Sequence, residues 1–362
     1  MIFQLFVTQQ CNLNCKYCFE GEKKSSRMNK DIVPFLVSFM KNYINNDFVE
    51  DKEIWVNFNG GEALLEKDFI KYAVNFFKEN GITHFSISTN FTLIDDDILT
   101  FLIENNFIMQ ISVDGMKHIH DLNRIDYDGN GTFDKVWYNL KKVDVINQNL
   151  NIHYSMVFTP ETVSNLYESV DFLFRNGKRY VIASFNSKAH WTEREIEILQ
   201  QQAILCRKLY VKMFEKGIPV YFKLISQYIQ DFFNGFNRSK CGICRDLIGI
   251  TPNGGILACG AFLGNESENE FLIGSIYKTE INTTLVQKLL YQKNTDKVCL
   301  ICSLKDRCHN DCLVCNFDCN GDLGHPDEMT CHINQIFVKE SDKAISQLIG
   351  NKFFLECFGI NL

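Results

Sequence analysis

The sequence predicts an α/β protein, a partial (β/α)6 barrel of the TIM type followed by a small cysteine-rich domain. Over residues 1–200, strand-like runs alternate with helical apolar periodicity, a pattern typical of parallel strands joined by right-handed crossovers. The chain has 362 residues, more than a single core usually reaches, so we expect more than one domain. Eleven of the fifteen cysteines fall within residues 241–362, which is typical of a small domain stabilised by metal.

Six strand-like runs define the barrel. They cover residues 2–8, 53–59, 84–90, 107–114, 151–158 and 180–187. Apolar residues at helical spacing predict helices between them, as in the segment from Leu65 to Phe77. Asn176-Gly177 is a predicted helix stop before the sixth strand. Residues 192–232 look helical, so we expect a barrel domain at 1–200, a helical bridge at 201–240 and the cysteine-rich domain at 241–362.

Composition and charge exclude several classes of partner. The net charge is -7, with 37 basic and 44 acidic residues and no basic run, so we expect no nucleic acid partner. No apolar stretch approaches the roughly 20 residues that span a bilayer, and the N-terminus lacks signal-peptide features, so we expect no membrane partner and a cytoplasmic location. In a reducing compartment, so many cysteines indicate metal ligation.

Three cysteines follow the first strand at C-x3-C-x2-C spacing: Cys11, Cys15 and Cys18. We call residues 11–18 the cysteine loop. Three thiolates can bind three irons of a [4Fe-4S] cluster, whereas a self-contained cluster takes four cysteines. The fourth iron is then open for a ligand that reacts, as in catalytic zinc sites with an open position. A structural zinc knuckle is the alternative, disfavoured because no fourth ligand stands nearby at zinc-finger spacing.

This spacing, with Tyr17 before the last cysteine, resembles the radical S-adenosylmethionine (radical SAM) family. In that family the open iron chelates the methionyl amine and carboxylate. Gly60-Gly61-Glu62, which begins 42 residues after Cys18, resembles the family's GGE motif, whose backbone holds the methionyl amine. A tight strand-to-helix turn is the alternative explanation for the two glycines. The resemblance implies that Tyr17, Gly60, Gly61 and Glu62 bind the cofactor and that the three loop cysteines are catalytic metal ligands.

Polar residues after the third and fourth strands extend the resemblance. Ser112, Asp114 and Arg124 stand where the family binds the ribose and the methionyl carboxylate, and an arginine can pair with a carboxylate bidentately. For Arg124 a surface salt bridge is the alternative. Thr89-Asn90-Phe91-Thr92 resembles the family's Thr-Asn-Gly-Thr stretch, but Phe91 replaces the glycine, so the local turn can differ.

The C-terminal cysteines closely resemble the SPASM domain, an auxiliary-cluster module of radical SAM enzymes that modify peptides and proteins. The resemblance implies two additional [4Fe-4S] clusters, three in all. The implied ligands are Cys241, Cys244, Cys259 and Cys312 for one cluster, and Cys299, Cys302, Cys308 and Cys331 for the other. Cys315 and Cys319 are surplus: unligated thiols are the first reading, and replacement of Cys312 is the alternative. Cys206 and Cys357 are expected to be structural, and a zinc-bound domain is the alternative for the whole region.

The resemblance implies a reaction in which a 5'-deoxyadenosyl radical abstracts hydrogen from a peptide or protein. Auxiliary clusters suit an oxidative outcome, because the substrate radical must lose an electron. Two subfamilies compete: maturases of ribosomally made peptides (RiPPs), which form thioether or carbon-carbon crosslinks, and anaerobic sulfatase maturases, which form formylglycine. In the latter an aspartate that serves as base typically follows the cysteine equivalent to Cys259, and here that position is Gly260, which favours crosslinking.

The expected partners follow from this reaction. A low-potential electron donor such as flavodoxin or ferredoxin would reduce the enzyme. The chain starts directly at the first barrel strand, so a leader-peptide recognition protein would be separate, unless the barrel mouth and the SPASM domain hold the substrate. A non-catalytic iron-sulfur or zinc protein remains as the further alternative, and it predicts no cleavage of S-adenosylmethionine.

Overall fold

The computed structural model describes residues 1–21, 23–146, 150–235, 241–264, 268–278, 280–292, 296–309 and 312–360. Its strands are β1 (Ile2–Thr8), β2 (Trp55–Gly60), β3 (His84–Thr89), β4 (Ile108–Ser112), β5 (Ile152–Phe158), β6 (Tyr180–Phe185), β7 (Tyr221–Phe222), β8 (Leu247–Ile250), β9 (Gly255–Leu257) and β10 (Leu272–Ser275). Its α-helices are α1 (Val33–Tyr43), α2 (Lys67–Glu79), α3 (Asp96–Glu104), α4 (Lys117–Asn123), α5 (Phe133–Ile146), α6 (Leu166–Arg175), α7 (Glu193–Glu215), α8 (Lys223–Asn234), α9 (Thr283–Leu290), α10 (Lys297–Ile301), α11 (Leu313–Asn320), α12 (Glu328–Leu348) and α13 (Lys352–Cys357).

The chain forms two compact units, each made of separate stretches of sequence. The first unit comprises Met1–Ser112, Asp121–Ile152 and Gly242–Gln292. The second comprises Val113–His120, His153–Cys241 and Lys293–Leu362. Both units therefore draw on the barrel part and on the cysteine-rich part of the sequence, and the functional domain boundaries at 200 and 240 stay a prediction.

The first unit contains a sheet with the strand order β10-β9-β8-β1-β2-β3-β4. The pairs from β8 through β1 to β4 are parallel, and β9 runs antiparallel to both β8 and β10. Phe3, Leu5 and Val7 alternate along β1 and are fully buried. The other face carries a polar row, because Gln4 lies opposite Asn57, and Asn57 lies opposite Ser86, all three half-buried.

The second unit contains the parallel strands β5, β6 and β7. Helix α12 packs on α7 and α8. Arg207 of α7 and Glu340 of α12 form a buried ion pair at 2.8 Å. On the sheet the rings of His153, Tyr180 and Tyr221 stack from strand to strand, with centroids 3.9 and 4.2 Å apart. Aromatic pairs of this kind on neighbouring strands stabilise a sheet.

The predicted fold class is confirmed: six strand and helix units alternate, and the sheet is open. Helix α6 ends at Arg175, and Gly177 follows with φ of +75°, as the predicted stop requires. Most of the segment 192–232, predicted to be helical, is helical, but it forms two helices, α7 and α8, with a break between them. Helix α7 ends at Glu215, because Gly217 turns left-handed at φ +68° and Pro219 cannot continue a helix, and strand β7 follows.

Among the described helices, none combines the length and apolar character needed to cross a membrane.

Candidate active site

The cysteine loop leaves β1 and carries Cys11, Cys15 and Cys18, all three partly accessible. The backbone N–H of Leu13 donates to Cys11 Sγ at 3.4 Å, and Lys23 Nζ donates to Cys18 Sγ at 2.9 Å. Burial raises the pKa of the Cys11 thiol to about 12, so metal binding there has to displace a proton. Donors aimed at the sulfurs suit thiolate ligands, whose properties are tuned by such hydrogen bonds.

Gly60 and Gly61 lie directly against the cysteine loop and the residues before it. A Cβ on Gly60 would stand 2.3 Å from the carbonyl oxygen of Thr8, and one on Gly61 would stand 2.3 Å from that of Gln10. The N–H of Gly61 donates to Thr8 O at 3.0 Å, and the N–H of Glu62 donates to Gln10 O at 2.8 Å. The two glycines are therefore required for the close approach of the chain that carries the cysteines.

Glu62 is only 1% exposed and joins the ends of two strands. Its carboxylate accepts hydrogen bonds from Thr89 Oγ1 at 2.6 Å, from the Asn90 N–H at 2.7 Å and from the Leu64 N–H at 3.0 Å. Burial raises the pKa of Glu62, and these hydrogen bonds oppose the rise. The carboxylate thus has a structural role between β2 and β3, and its cofactor role stays a prediction.

The stretch Thr89–Thr92 forms a network with the cysteine loop. Asn90 Nδ2 donates to Asn12 Oδ1 at 2.9 Å, and Asn12 Nδ2 donates to Thr92 Oγ1 at 2.8 Å. Phe91 has φ of +62° and is fully buried. It therefore adopts the left-handed backbone conformation that glycine adopts freely. The turn is left-handed although phenylalanine replaces the glycine, and the phenylalanine backbone is strained.

Arg124 and Tyr17, two predicted cofactor-binding residues, lie together. The Arg124 guanidinium carbon is 5.3 Å from the centroid of the Tyr17 ring, within cation–π range. Arg124 is 7% exposed, so it is buried rather than at the surface, and its pairing with the methionyl carboxylate stays a prediction. Backbone hydrogen bonds from Asn14 to Ile125 and from Lys16 to Asn123, at 2.8 and 3.0 Å, hold this segment on the cysteine loop.

Ser112 and Asp114 fall in different compact units. Ser112 is the last residue of β4 and is half-buried. Asp114 is 1% exposed, and its Oδ1 accepts a hydrogen bond from the Val157 N–H at 2.9 Å. Its own N–H donates to His120 Nδ1 at 3.3 Å. Asp114 therefore contacts the backbone of β5, and the ribose-binding roles of both residues stay predictions.

The implied ligands of the second auxiliary cluster all lie in the second unit. Cys331 is close enough to Cys299 and Cys302 to interact with them electrostatically, and burial raises its pKa. Gln335 Nε2 donates to Cys331 Sγ at 3.2 Å, and the Leu304 N–H donates to Cys302 Sγ at 3.4 Å. The same pattern of donors at sulfur therefore recurs here.

The implied ligands of the first auxiliary cluster are divided between the units. Cys244 and Cys259 belong to the first unit, and Cys241 and Cys312 to the second. Cys244 is fully buried with φ of +59°, and its N–H donates to Ala258 O at 3.2 Å, directly before Cys259. That these four cysteines share one cluster stays a prediction.

The surplus cysteines Cys315 and Cys319 lie one turn apart on α11 and hydrogen-bond each other. This bond, opposed by burial, lowers the pKa of Cys315 to about 7. Cys315 Sγ is also 3.7 Å from Thr330 Oγ1, and Cys319 Sγ is 3.6 Å from Ser187 O. Whether either thiol ligates a cluster stays a prediction.

Within the described ranges, no three Cys, His, Asp or Glu side chains converge closely enough to hold a single metal ion. The hydrogen-bond donors at the sulfurs of Cys11, Cys18, Cys302 and Cys331 suit thiolate ligands of iron-sulfur clusters. A zinc-bound cysteine-rich domain stays the alternative.

Sequence reasoning missed two contacts of the site. Lys23 contacts the sulfur of Cys18, and Asn12 contacts Asn90. Neither stands in a recognisable motif, since both contacts depend on how the loop folds back.

Residues 5–173 match the Radical SAM superfamily. With the cysteine loop and the two glycines arranged as described, the chain contains a radical SAM domain and is a radical SAM enzyme, for which S-adenosylmethionine and a [4Fe-4S] cluster are the cofactors. The cysteine-type anaerobic sulfatase-maturating enzyme of Clostridium novyi (strain NT) is 25% identical, with 94% of each chain covered. The radical SAM cyclopropyl synthase TigE of Paramaledivibacter caminithermalis is 23% identical over 93% of this chain and 72% of TigE.

Solved structures are similar in fold, among them the following two. Native anSMEcpe with bound AdoMet and Cp18Cys peptide has a TM-score of 0.75 and 18% identity, with 100% of both chains covered. Streptococcus suis SuiB bound to its precursor peptide SuiA has a TM-score of 0.63 and 16% identity, covering 91% of this chain and 75% of SuiB. At these identities the likeness shows the α/β fold.

Proposed function

We propose that this radical SAM enzyme oxidatively modifies a ribosomally made peptide by forming a thioether or carbon-carbon crosslink. A peptide substrate is supported by the similar structures, which hold the Cp18Cys and SuiA peptides. The choice of crosslinking over formylglycine depends on the surroundings of Gly260.

Gly260 has no room for the side chain that a base would need. A Cβ on this residue would stand 2.3 Å from Gln4 Oε1 and 2.8 Å from the Phe6 ring. Gly260 is buried, and Phe6 packs with Leu257 and Leu263 in the core. Gln4 and Phe6 therefore occupy the space in which the sulfatase maturases, by the resemblance, carry their aspartate. Without that carboxylate, formylglycine formation is disfavoured.

The residues around the cysteine loop would bind and orient the cofactor. We assign Cys11, Cys15 and Cys18 as ligands of the cluster that, with S-adenosylmethionine bound, supplies a 5'-deoxyadenosyl radical. Arg124, held over Tyr17, suits the methionyl carboxylate. We assign the other eight implied cysteines to two auxiliary clusters, which give an oxidation its electron acceptor. A flavodoxin or ferredoxin is the proposed donor.

Formylglycine formation is the second candidate. The observation that favours it is the 25% identity to the Clostridium novyi enzyme over nearly the full length of both chains. It predicts that a sulfatase peptide, rather than a dedicated small peptide, is the substrate.

The test is anaerobic reconstitution with iron and sulfide, followed by mass spectrometry of S-adenosylmethionine turnover with two peptides. One is a small cysteine-containing peptide encoded beside the gene, and the other is a sulfatase peptide with a cysteine. We expect the first to lose two hydrogens for each bond formed and the second to remain unchanged. An aldehyde on the sulfatase peptide would instead establish formylglycine formation. The variant with Cys11, Cys15 and Cys18 replaced by alanine is the control, and turnover by it would refute the ligand assignment.

A further inference from the structure

Lys23 makes a contact with the cysteine loop that the proposed reaction does not explain. Its Nζ lies 2.9 Å from Cys18 Sγ and 3.2 Å from Glu20 Oε2. The Glu20 side chain is 5% exposed and that of Lys23 17%. A cation, a carboxylate and a sulfur therefore meet in a place largely closed to solvent, where electrostatic interactions are screened least.

The local fold holds this group together. The chain turns directly after the last loop cysteine, where the N–H of Gly21 donates to Cys18 O at 3.4 Å. Gly264, with φ of +73°, lies against the same turn, and a Cβ there would stand 2.2 Å from the carbonyl oxygen of Glu20. The turn and its close neighbour bring Lys23 back to the sulfur of Cys18.

A hydrogen bond to a ligand sulfur and a positive charge beside it both raise the reduction potential of an iron-sulfur cluster. Hydrogen bonds to the sulfurs, net charge and burial set the reduction potentials of iron-sulfur clusters. Reduction adds a negative charge, and a nearby cation stabilises the reduced state. Glu20 weakens this effect by its own charge, but it also fixes the ammonium group, and Lys23 is the member of the pair in contact with the sulfur.

We propose that Lys23 is a positioning residue that raises the reduction potential of the S-adenosylmethionine-binding cluster through its hydrogen bond to Cys18, and that Glu20 holds it there. The proposal rests on the proposed ligand role of Cys18, and it is independent of which peptide is modified. Its consequence is that the enzyme accepts electrons from a milder donor than it otherwise would.

The test is an anaerobic redox titration followed by electron paramagnetic resonance, without peptide. The signal that changes on addition of S-adenosylmethionine identifies the relevant cluster. We compare the wild type with Lys23→Arg, Lys23→Gln and Lys23→Met. The expected midpoint potential falls in that order, because arginine keeps charge and donor, glutamine keeps only a donor, and methionine keeps neither. Lys16→Met is the matched control, since Lys16 is an exposed lysine within the cysteine loop, and we expect no change.

Equal potentials in the wild type and all Lys23 variants would overturn the proposal, and so would an equal shift in Lys16→Met. If Lys23→Met does not hold iron, the comparison of Lys23→Arg with Lys23→Gln decides, because only the charge differs substantially. A failure of the proposed ligand set is recognised separately: the signal responsive to S-adenosylmethionine would then persist in the variant that lacks the three loop cysteines.

Discussion

Replacement of Gly260 by alanine tests the packing on which the proposed reaction depends. The added methyl group would lie 2.3 Å from Gln4 Oε1 and 2.8 and 2.9 Å from two carbons of the Phe6 ring. Gln4 presents the end of a flexible side chain and can move. Phe6 is 3% exposed and backed by Leu257 and Leu263, so the ring can move only by disturbing the core.

The expected change in the free energy of unfolding is the sum of two opposing contributions. Overpacking a core typically costs about 1–3 kcal/mol. Glycine to alanine also restricts the unfolded chain, which stabilises the protein by about 0.4–1 kcal/mol where the backbone conformation is allowed, and Gly260 does not have a positive φ. We therefore expect Gly260→Ala to lower the free energy of unfolding by about 1–2 kcal/mol.

The assay is urea unfolding of the anaerobically reconstituted protein, followed by intrinsic fluorescence. Gly350→Ala is the matched control, because a Cβ there meets nothing within 4 Å and its φ is not positive; its urea midpoint should stay the same or rise slightly. Phe6→Leu makes room for the added methyl group, so the double variant Phe6→Leu/Gly260→Ala should lose less stability than the sum of the two single variants. The expected difference is at least about 0.5 kcal/mol. A Gly260→Ala variant as stable as the wild type would refute the packing argument.

Three further predictions concern the strained turn, a buried ion pair and the clusters. Phe91→Gly should be more stable than Phe91→Ala by about 1–3 kcal/mol, because only glycine relieves the left-handed strain; the opposite order in urea unfolding would contradict this. Arg207→Met should destabilise by about 3 kcal/mol by leaving the Glu340 carboxylate buried with fewer partners, and Arg207→Met/Glu340→Met should recover much of the loss in the same assay. Alanine at all three cysteines of the loop should abolish cleavage of S-adenosylmethionine and leave about two thirds of the iron, and iron near the wild-type content would contradict it.

Local patterns in the sequence were sufficient for most of the fold. The six barrel strands begin and end within two residues of their predicted bounds, because alternating apolar residues and strand-to-helix turns are recognisable in short stretches of sequence. The exception, 192–232, contains Gly217 and Pro219, which together predict the break between α7 and α8. The segments on both sides have helical apolar periodicity, so the break between them was not predicted.

The candidate site was less accessible to sequence reasoning where it depends on tertiary contacts. The adjacent glycines Gly60 and Gly61 predict close approach of a ligand, which stays a prediction; the structure shows in addition a close approach of the backbone of Thr8 and Gln10, which the sequence does not reveal. Glu62 reads as a potential ligand in sequence, yet its oxygens are bonded to the end of β3. In the sequence, a glutamate that joins two strands looks the same as one that binds a ligand. The two roles can be distinguished only when it is known which strands are neighbours.

The surroundings of Gly260 bear on which of the two proposed reactions this fold can support. The position follows a predicted cluster ligand, Cys259, so a carboxylate there could act next to the cluster, as the resemblance implies for sulfatase maturases. Here the space is filled from β1 by Gln4 and Phe6, so aspartate cannot be restored by a single substitution without repacking. Gln4 also belongs to the polar row with Asn57 and Ser86. An aspartate at position 260 would therefore require a change at Phe6 as well, and movement of the Gln4 side chain would disturb the polar row.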